Sequence, residues 1–231
     1  MPVLNSPNID PREKQRFQFV ATPFRVGLVF TLKNIFRIFM DLKIEGKGNF
    51  PQEGPVIVAA NHVTNFDVFP MQLSLPRPIF YMAKSELFKN PIMDIALRNV
   101  GAFPVHRQGK DLWALKHAKK TLSHEQTLGM FPEGTRSRGE GLGLAKTGTA
   151  RLAMEANVPI MPMAIIGSDK FFREFPRRNQ VTVIFCPPIL PQEGDDALAL
   201  TDRIMFSIAA NLPPEMRGVY AEMPEGFGTR L

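Results

Sequence analysis

The chain has 231 residues, 44% of them hydrophobic and 22% charged, which suits one large globular domain or one domain with an appendage. Its net charge of +6 favours an anionic partner such as a membrane surface or a phosphorylated substrate. Nucleic acid is disfavoured because no basic run is interleaved with aromatic residues. The single cysteine, Cys186, excludes an internal disulfide framework and fits a reducing compartment. It lies in a strand-like run, which predicts a buried hydrophobic role rather than a nucleophile.

Residues 17–43 are apolar and aromatic, but charged residues interrupt them and Pro23 divides them into two pieces. A simple membrane span needs roughly 20 apolar residues, so this segment does not qualify. In the second piece Lys33, Arg37 and Asp41 recur every four residues and would share one helical face. This pattern is typical of a helix lying in a membrane interface. A helix packed on the core with a solvated basic edge is the alternative.

After a linker-like stretch at 44–55, runs typical of buried strands alternate with helical patterns. The predicted strands are 55–60, 79–83, 101–107, 127–131, 159–166 and 181–185, and the predicted helices are 66–75, 91–100, 111–123, 145–156 and 195–212. This alternation predicts an α/β fold with a largely parallel central sheet flanked by helices. Two prolines in 159–166 predict an edge or irregular strand. His117 and His124, on a helix and at its end, are expected to be solvated.

His62 follows the first of these strands, and Asp67 lies five positions further on. On a continuous helix they would be separated by about 140°, from about 100° per residue. They can therefore meet only if His62 lies in the turn and Asp67 at the start of the next helix. There Asp67 would accept the ring N–H of His62 and leave the other nitrogen as a base. A His and an Asp at this spacing are common by chance, so the pair needs support from other residues.

Polar side chains also follow the third and fourth strands. The third offers Arg107, and the fourth leads into a turn that contains Glu133, Gly134, Thr135 and Arg136. A parallel sheet would bring these strand ends to one edge, beside His62, where guanidinium groups could bind a phosphate. Individually, each Arg has the alternative of a surface ion pair, and Glu133 that of a helix cap.

Four blocks stand out in chain order: Asn61-His62-x4-Asp67, Gly101-Ala102-Phe103-Pro104-Val105-His106-Arg107, Phe131-Pro132-Glu133-Gly134-Thr135-Arg136-Ser137 and Val158-Pro159-Ile160-Met161-Pro162. Together they resemble the glycerolipid acyltransferase family, and most closely its lysophosphatidic acid acyltransferases (1-acylglycerol-3-phosphate O-acyltransferases). Lys146-Thr147-Gly148 and Lys84-Ser85-Glu86-Leu87 also resemble segments of the family. The chain departs from the family pattern at Thr64, where Ser is usual, and at His106, which bears on the acceptor.

The resemblance implies that His62, oriented by Asp67, removes a proton from the free hydroxyl of lysophosphatidic acid as it attacks a fatty acyl thioester. Arg107 and Arg136 would hold the acceptor phosphate, and Glu133, Gly134 and Thr135 would shape the acceptor pocket. The donor would be acyl-CoA or acyl carrier protein, used as a co-substrate, with no metal and no cofactor. The N-terminal helices would seat the enzyme peripherally or monotopically on the cytoplasmic face of a membrane.

These inferences predict membrane-associating helices over residues 1–43 and an acyltransferase catalytic domain over residues 44–231. Within the family, another lysolipid or glycerol-3-phosphate is the alternative acceptor. Outside it, the alternatives are a lipase or esterase and a non-enzymatic membrane-binding protein. The Gly-x-Ser-x-Gly turn of α/β-hydrolases is missing, because Ser137 has the wrong spacing from its flanking glycines.

Overall fold

The structure, a computed structural model, describes residue 12 and residues 14–106, 111–170 and 176–223. Within these ranges seven strands form one sheet in the order β1-β7-β6-β2-β5-β3-β4. The strands are β1 (Met40–Glu45), β2 (Val56–Ala60), β3 (Ile79–Lys84), β4 (Ala102–Val105), β5 (Thr127–Met130), β6 (Ile160–Ile166) and β7 (Asn179–Phe185). Neighbouring strands are parallel except for β6 and β7, which confirms the predicted α/β fold with a largely parallel sheet.

Helices cover both faces of the sheet. They are α1 (Pro23–Phe39), α2 (Val68–Ser74), α3 (Pro91–Asn99), α4 (Leu112–Ser123), α5 (Gly148–Ala156) and α6 (Ala197–Ala210). Buried residues of α4, α5 and α6 pack with alternate strand residues in one core cluster. Phe36 of α1 and Met71 of α2 belong to a second cluster on the opposite face. Each strand of the centre is therefore covered on both sides, which explains why β2 is buried along its whole length.

β6 is an interior strand, with β2 on one side and β7 on the other. The prediction of an edge or irregular position for this proline-containing run is therefore wrong. The Pro162 carbonyl accepts the N–H of Cys186, so the proline nitrogen faces β7 just beyond the end of that strand. The antiparallel ladder begins only at Met163, paired with Phe185. Pro162 has no backbone N–H, but the β6–β7 ladder therefore loses no hydrogen bond at this position.

α1 leads directly into the edge strand β1, which pairs with β7. The domain boundary predicted at residue 43 thus lies inside β1, and Asp41 belongs to the sheet rather than to the basic stripe of α1. Large apolar side chains of α1 are exposed to solvent, namely Phe24, Val26, Phe30, Ile35 and Ile38. Among the described residues, no helix has the length and apolar character that crossing a bilayer requires.

His117 is buried on the inner face of α4, so the prediction that it is solvated is wrong. Its Nε2 lies 3.1 Å from the carbonyl oxygen of Arg16, and its ring stacks on Phe103 with centroids 4.4 Å apart. Burial lowers the pKa of His117 to about 4, so the ring is neutral at physiological pH. His124, which follows α4, is half-buried.

Candidate active site

The turn after β2 is fixed by hydrogen bonds that its own polar residues make to the sheet. The Asn61 amide donates to the Ile165 carbonyl at 2.9 Å, and its oxygen accepts the Ile165 N–H at 2.8 Å. This pairing with β6 continues the sheet one residue past β2 by means of a side chain. His62 is therefore presented at the carboxyl edge, where polar groups of a parallel sheet converge.

His62 and Asp67 meet as the spacing predicts, with Asp67 directly before α2. The His62 Nδ1 lies 2.8 Å from Asp67 Oδ2, and the same carboxylate oxygen accepts the N–H groups of Val63 at 2.7 Å and Thr64 at 2.9 Å. Asp67 is fully buried, and three donors fix its orientation. With Nδ1–H donated to the carboxylate, His62 Nε2 carries the lone pair and can accept a proton.

The His62 ring is also held by packing and through its backbone. It stacks on Phe131 with ring centroids 4.0 Å apart and an interplanar angle of 14°. The backbone N–H of His62 donates to Glu133 Oε1 at 2.9 Å, and the backbone carbonyl of His62 accepts the Ser137 N–H at 2.7 Å. The turn after β5 therefore lies directly against the turn after β2, as the shared sheet edge predicts.

Glu133 supports the site from behind. It is buried, and its second oxygen, Oε2, accepts the N–H of Gly143 at 3.0 Å. Burial raises the pKa of Glu133, and the two backbone N–H groups act in the opposite direction. Both carboxylate oxygens are therefore occupied by backbone donors, and Glu133 joins the backbone of His62 to that of Gly143.

We expect Glu133→Gln to lower both activity and stability. The amide keeps one acceptor but turns an NH₂ group towards the other backbone N–H, which costs about 1–3 kcal/mol for the unsatisfied donor. The displaced His62 backbone should lower kcat about tenfold or more, since small misplacements near reacting groups have large effects. Urea unfolding and steady-state kinetics measure both effects, with Glu140→Gln, on an exposed turn, as the matched control. Unchanged kcat and unfolding midpoint in Glu133→Gln would contradict this role.

A cavity of about 230 Å³ opens beside the His62 ring. Much of its wall is apolar and comes from the ends of β3, β4 and β5, through Met82, Val105, Met130 and Phe131. Tyr81 also lines the cavity, and burial raises the pKa of its phenol, which therefore stays protonated. A candidate base thus lines a mainly apolar cavity, an arrangement that suits a reacting group attached to a hydrocarbon chain.

Comparison with known proteins agrees with this geometry. The family model described as Acyltransferase matches residues 41–166, more than half of the chain. The chain belongs to the acyltransferase family. It is 31% identical over 159 residues to the 1-acyl-sn-glycerol-3-phosphate acyltransferase of Bacillus subtilis strain 168, covering 68% of this chain and 78% of that protein. The predicted glycerolipid acyltransferase identity is therefore confirmed, and the chain is an acyltransferase enzyme.

Two further similarities extend over more of the acyltransferase. Human 1-acyl-sn-glycerol-3-phosphate acyltransferase alpha is 29% identical over 201 residues, covering 81% of this chain and 71% of the human protein. The fold matches the crystal structure of the 1-acyl-sn-glycerophosphate (LPA) acyltransferase PlsC from Thermotoga maritima with a TM-score of 0.65 at 22% identity. That match covers 86% of this chain and 82% of the other, so it supports the overall architecture rather than any residue's role.

The other predicted site residues of the acyltransferase are placed as follows. Gly134 lines the cavity with a φ of +66°, a conformation that favours glycine. Thr135 is exposed and Arg136 half-buried in the same turn, whose Ser137 contacts the His62 backbone. Of the described residues that line the cavity, neither Thr135 nor Arg136 is one. Arg107 lies outside the described residues.

Lys146 is a cation at this site to which the sequence analysis gave no role. It lines the cavity with His62, and a Cβ added at Gly134 would lie 3.3 Å from its Nζ. The loop before α5 brings it there, through a hydrogen bond of 2.9 Å from the Lys146 N–H to the Pro132 carbonyl. The available signal was the resemblance of Lys146-Thr147-Gly148 to a family segment.

The environment of Cys186 is that of a buried structural residue and not of a nucleophile, as predicted. It is buried, and burial raises the pKa of its thiol to about 11. Its sulfur contacts the Ser207 carbonyl and the Asn211 amide rather than a base. Within the described part of the chain, no three His, Cys, Asp or Glu side chains are arranged to hold a metal ion.

Proposed function

We propose that the enzyme transfers a fatty acyl group from an acyl thioester to the free sn-2 hydroxyl of lysophosphatidic acid, which gives phosphatidic acid for phospholipid synthesis. The observation that carries the proposal is the His62–Asp67 pair, which is joined at 2.8 Å and adjoins a mainly apolar cavity that also contains a lysine. The choice of acceptor rests on the relatives, which are named 1-acyl-sn-glycerol-3-phosphate acyltransferases. The negative charge of this acceptor fits the cations at the carboxyl edge of the sheet.

In the proposed reaction, His62 Nε2 accepts the proton of the acceptor hydroxyl while that oxygen bonds to the thioester carbonyl carbon. The C–S bond then breaks, and the thiolate of coenzyme A or of the carrier-protein prosthetic group leaves and receives the proton. Asp67 stabilises the imidazolium that forms in between. The sulfur is a good leaving group, so transfer is direct and requires no acyl-enzyme, which agrees with the buried, high-pKa thiol of Cys186.

The acceptor preference is tested by comparing kcat/KM for lysophosphatidic acid, glycerol-3-phosphate and lysophosphatidylcholine with one labelled acyl donor. We expect the highest value for lysophosphatidic acid, because it presents both a dianionic phosphate and an acyl chain. A higher kcat/KM for either of the other acceptors would contradict the proposed substrate. Comparing acyl-CoA with the acylated form of acyl carrier protein as donors in the same assay identifies the donor that the enzyme uses.

Lys146, Arg136 and Arg107 are proposed to bind the acceptor phosphate, and Lys146→Gln tests the first of them. A charge-assisted hydrogen bond to phosphate is worth about 1.5–3 kcal/mol. We therefore expect the KM for lysophosphatidic acid to rise about tenfold or more, with a smaller change in kcat. Transfer to a monoacylglycerol, which lacks the phosphate, should be little affected, and Lys89→Gln, on the surface, serves as control. Equal losses with both acceptors would contradict phosphate binding by Lys146.

α1 is proposed to lie in the membrane interface with Phe30 and Ile38, which are 68% and 59% exposed, towards the acyl chains. We expect Phe30→Glu/Ile38→Glu to shift the protein from vesicles to the supernatant in sedimentation. Each buried apolar side chain contributes about 1.5–3 kcal/mol, so the partition coefficient should fall at least about 100-fold. Leu198→Glu on α6, 57% exposed, is the matched control and should sediment like wild type. Unchanged sedimentation of the α1 variant would contradict this orientation.

A further inference from the structure

The N-terminal strap, defined here as residues 14–22, packs against the side of the domain at which β3, β4 and β5 begin. Its anchoring contacts are the Lys14–Asp94 ion pair at 3.0 Å, the Arg16 carbonyl on His117 at 3.1 Å, and ring contacts of Phe17 with His117 at 4.6 Å and Phe19 with Phe80 at 4.2 Å. Gly101 permits the last approach, because a Cβ there would lie 2.7 Å from the Phe19 ring. The strap is therefore packed on the domain rather than lying free of it.

Beneath the strap is a cavity of about 760 Å³, separate from the candidate active site. Its walls include Phe80 near the start of β3, Asn99 before β4 and His124 before β5. These strands are parallel to β2, and His62 follows the carboxyl end of β2. The strap cavity and the acyl-transfer cavity thus lie at opposite edges of the sheet.

The strap cavity combines phenylalanine walls with the side chains of three arginines, Arg16, Arg25 and Arg98. Of its cations, Arg98 is paired with Asp94 at 2.6 Å, whereas no carboxylate is among the described residues that line the cavity. Arg25 lies over the Phe19 ring at 3.9 Å and donates to the Asn99 carbonyl at 3.0 Å. Burial and the nearby charge of Arg16 both lower the pKa of Arg25. An anion in the cavity would relieve this repulsion.

The cavity wall is continuous with the apolar surface of α1. Val20 and Phe24 line the cavity and are 69% and 59% exposed, and Ile35, which is 42% exposed, lies on the same face of α1 as Phe24, about three turns further on. A ligand with hydrocarbon chains could therefore contact the Phe side chains while its charged head meets Arg16 and Arg25. A bilayer lipid has this chemistry and would be present if α1 lies in the interface. A cavity of this volume also falls in the range of about 300–1,000 Å³ that is typical of ligand sites.

We propose that the strap cavity binds one anionic phospholipid of the bilayer, with its phosphate between Arg16 and Arg25 and its acyl chain along the phenylalanine wall. This lipid is bound, not acylated, because no described residue that lines the strap cavity also lines the cavity beside His62. It would fix the strap, and with it the start of α1, on membranes that carry negative charge. The proposal rests on the proposed seating of α1 but not on the acyl-transfer chemistry.

The experiment measures binding of monomeric dihexanoyl-phosphatidylglycerol and dihexanoyl-phosphatidylcholine, below their micelle concentrations, to the full chain without acyl donor. The single tryptophan, Trp113, packs on His117 at 5.0 Å, and His117 contacts Phe17 in the cavity wall, so tryptophan fluorescence reports on this region. We expect one phosphatidylglycerol per chain and at least about tenfold weaker binding of phosphatidylcholine, since a charge-assisted contact is lost or screened.

Arg16→Gln should weaken phosphatidylglycerol binding at least about tenfold. The Arg16 side chain is exposed, so this variant is expected to fold, whereas Arg25→Gln removes a structural hydrogen bond and is the second choice. Lys33→Gln, a matched charge loss on α1, and Lys146→Gln, in the acyl-transfer cavity, should bind as wild type does. Equal binding of the two lipids, no binding, or equal weakening by Lys33→Gln would overturn the proposal. Weakening by Lys146→Gln alone would assign the lipid to the acyl-transfer cavity and also overturn it.

Discussion

His62→Ala is expected to lower kcat for acyl transfer about 10³-fold. A positioned general base contributes about 10²–10⁴-fold, and a secondary hydroxyl is a poor nucleophile until its proton is removed. The KM for lysophosphatidic acid should change less than about threefold, because the ring acts on the hydroxyl rather than on the headgroup. Single-turnover transfer of a labelled acyl group measures the chemical step directly.

The variant must be shown to be folded before its rate is interpreted. His62 is 7% exposed and stacks on Phe131, so truncation leaves a small void beside the cavity. Thermal unfolding of His62→Ala and of a second variant, His62→Gln, which keeps more of the volume, separates loss of packing from loss of the base. His124→Ala is a matched control, since His124 follows α4 and is not among the described residues that line the cavity beside His62. Transfer that survives in both His62 variants would exclude His62 as the base.

Asp67→Asn is expected to lower kcat about 10²–10³-fold, even though the side chain keeps its size. The carboxylate oxygen that accepts three donors becomes part of a neutral amide, so the imidazolium formed during transfer loses its counter-charge. If the amide nitrogen faces those donors, the turn is also destabilised, by about 1–3 kcal/mol per unsatisfied group. Steady-state kinetics and urea unfolding measure the two effects.

A double-variant cycle shows whether Asp67 acts through His62. If it does, Asp67→Asn combined with His62→Ala should be no slower than His62→Ala alone, because residues acting as one unit are strongly non-additive. Thr64→Ser provides a mild control, since it keeps the hydroxyl that donates to Asp67 Oδ1 at 3.3 Å. Fully additive losses would mean that Asp67 contributes independently of the ring, which would contradict the paired arrangement.

The fold class and the His62–Asp67 contact followed from local rules that depend on few residues. The alternation of strand and helix patterns is enough to indicate a parallel sheet, and the sheet edge then collects the strand ends. Likewise, helical geometry excluded a shared face for His62 and Asp67 and left only the turn-to-helix arrangement that the structure shows. In both cases one geometric constraint decided the outcome.

Other features depend on partners that are distant in sequence. The Glu133 carboxylate binds backbone N–H groups of His62 and Gly143, and no sequence pattern distinguishes one backbone amide from another. Lys146 reaches the cavity only because its loop folds back onto Pro132. β6 can contain Pro162 in the interior of the sheet because β7 ends beside the proline. Where β7 ends relative to β6 depends on the register of the two strands.

His117 differs, because its burial could have been predicted. Trp113 and Ala114, four and three residues before His117, lie on the same side of α4 as its ring, and Ala114 is buried. A histidine within such an apolar stripe is expected to lie inside. The strap that covers it was harder to foresee, since the Arg16–His117 contact joins residues 101 positions apart in the chain.

The position of the transferred label shows whether the acyl group goes to the sn-2 hydroxyl of lysophosphatidic acid. The purified enzyme would be supplied with a labelled acyl thioester and unlabelled 1-acyl lysophosphatidic acid on vesicles, and the lipid product digested with an sn-2-specific phospholipase. We expect labelled phosphatidic acid from which this digestion releases the entire label as free fatty acid. Label that stays in the lysolipid after digestion, or that appears as fatty acid without any phosphatidic acid, would contradict acyl transfer to this hydroxyl.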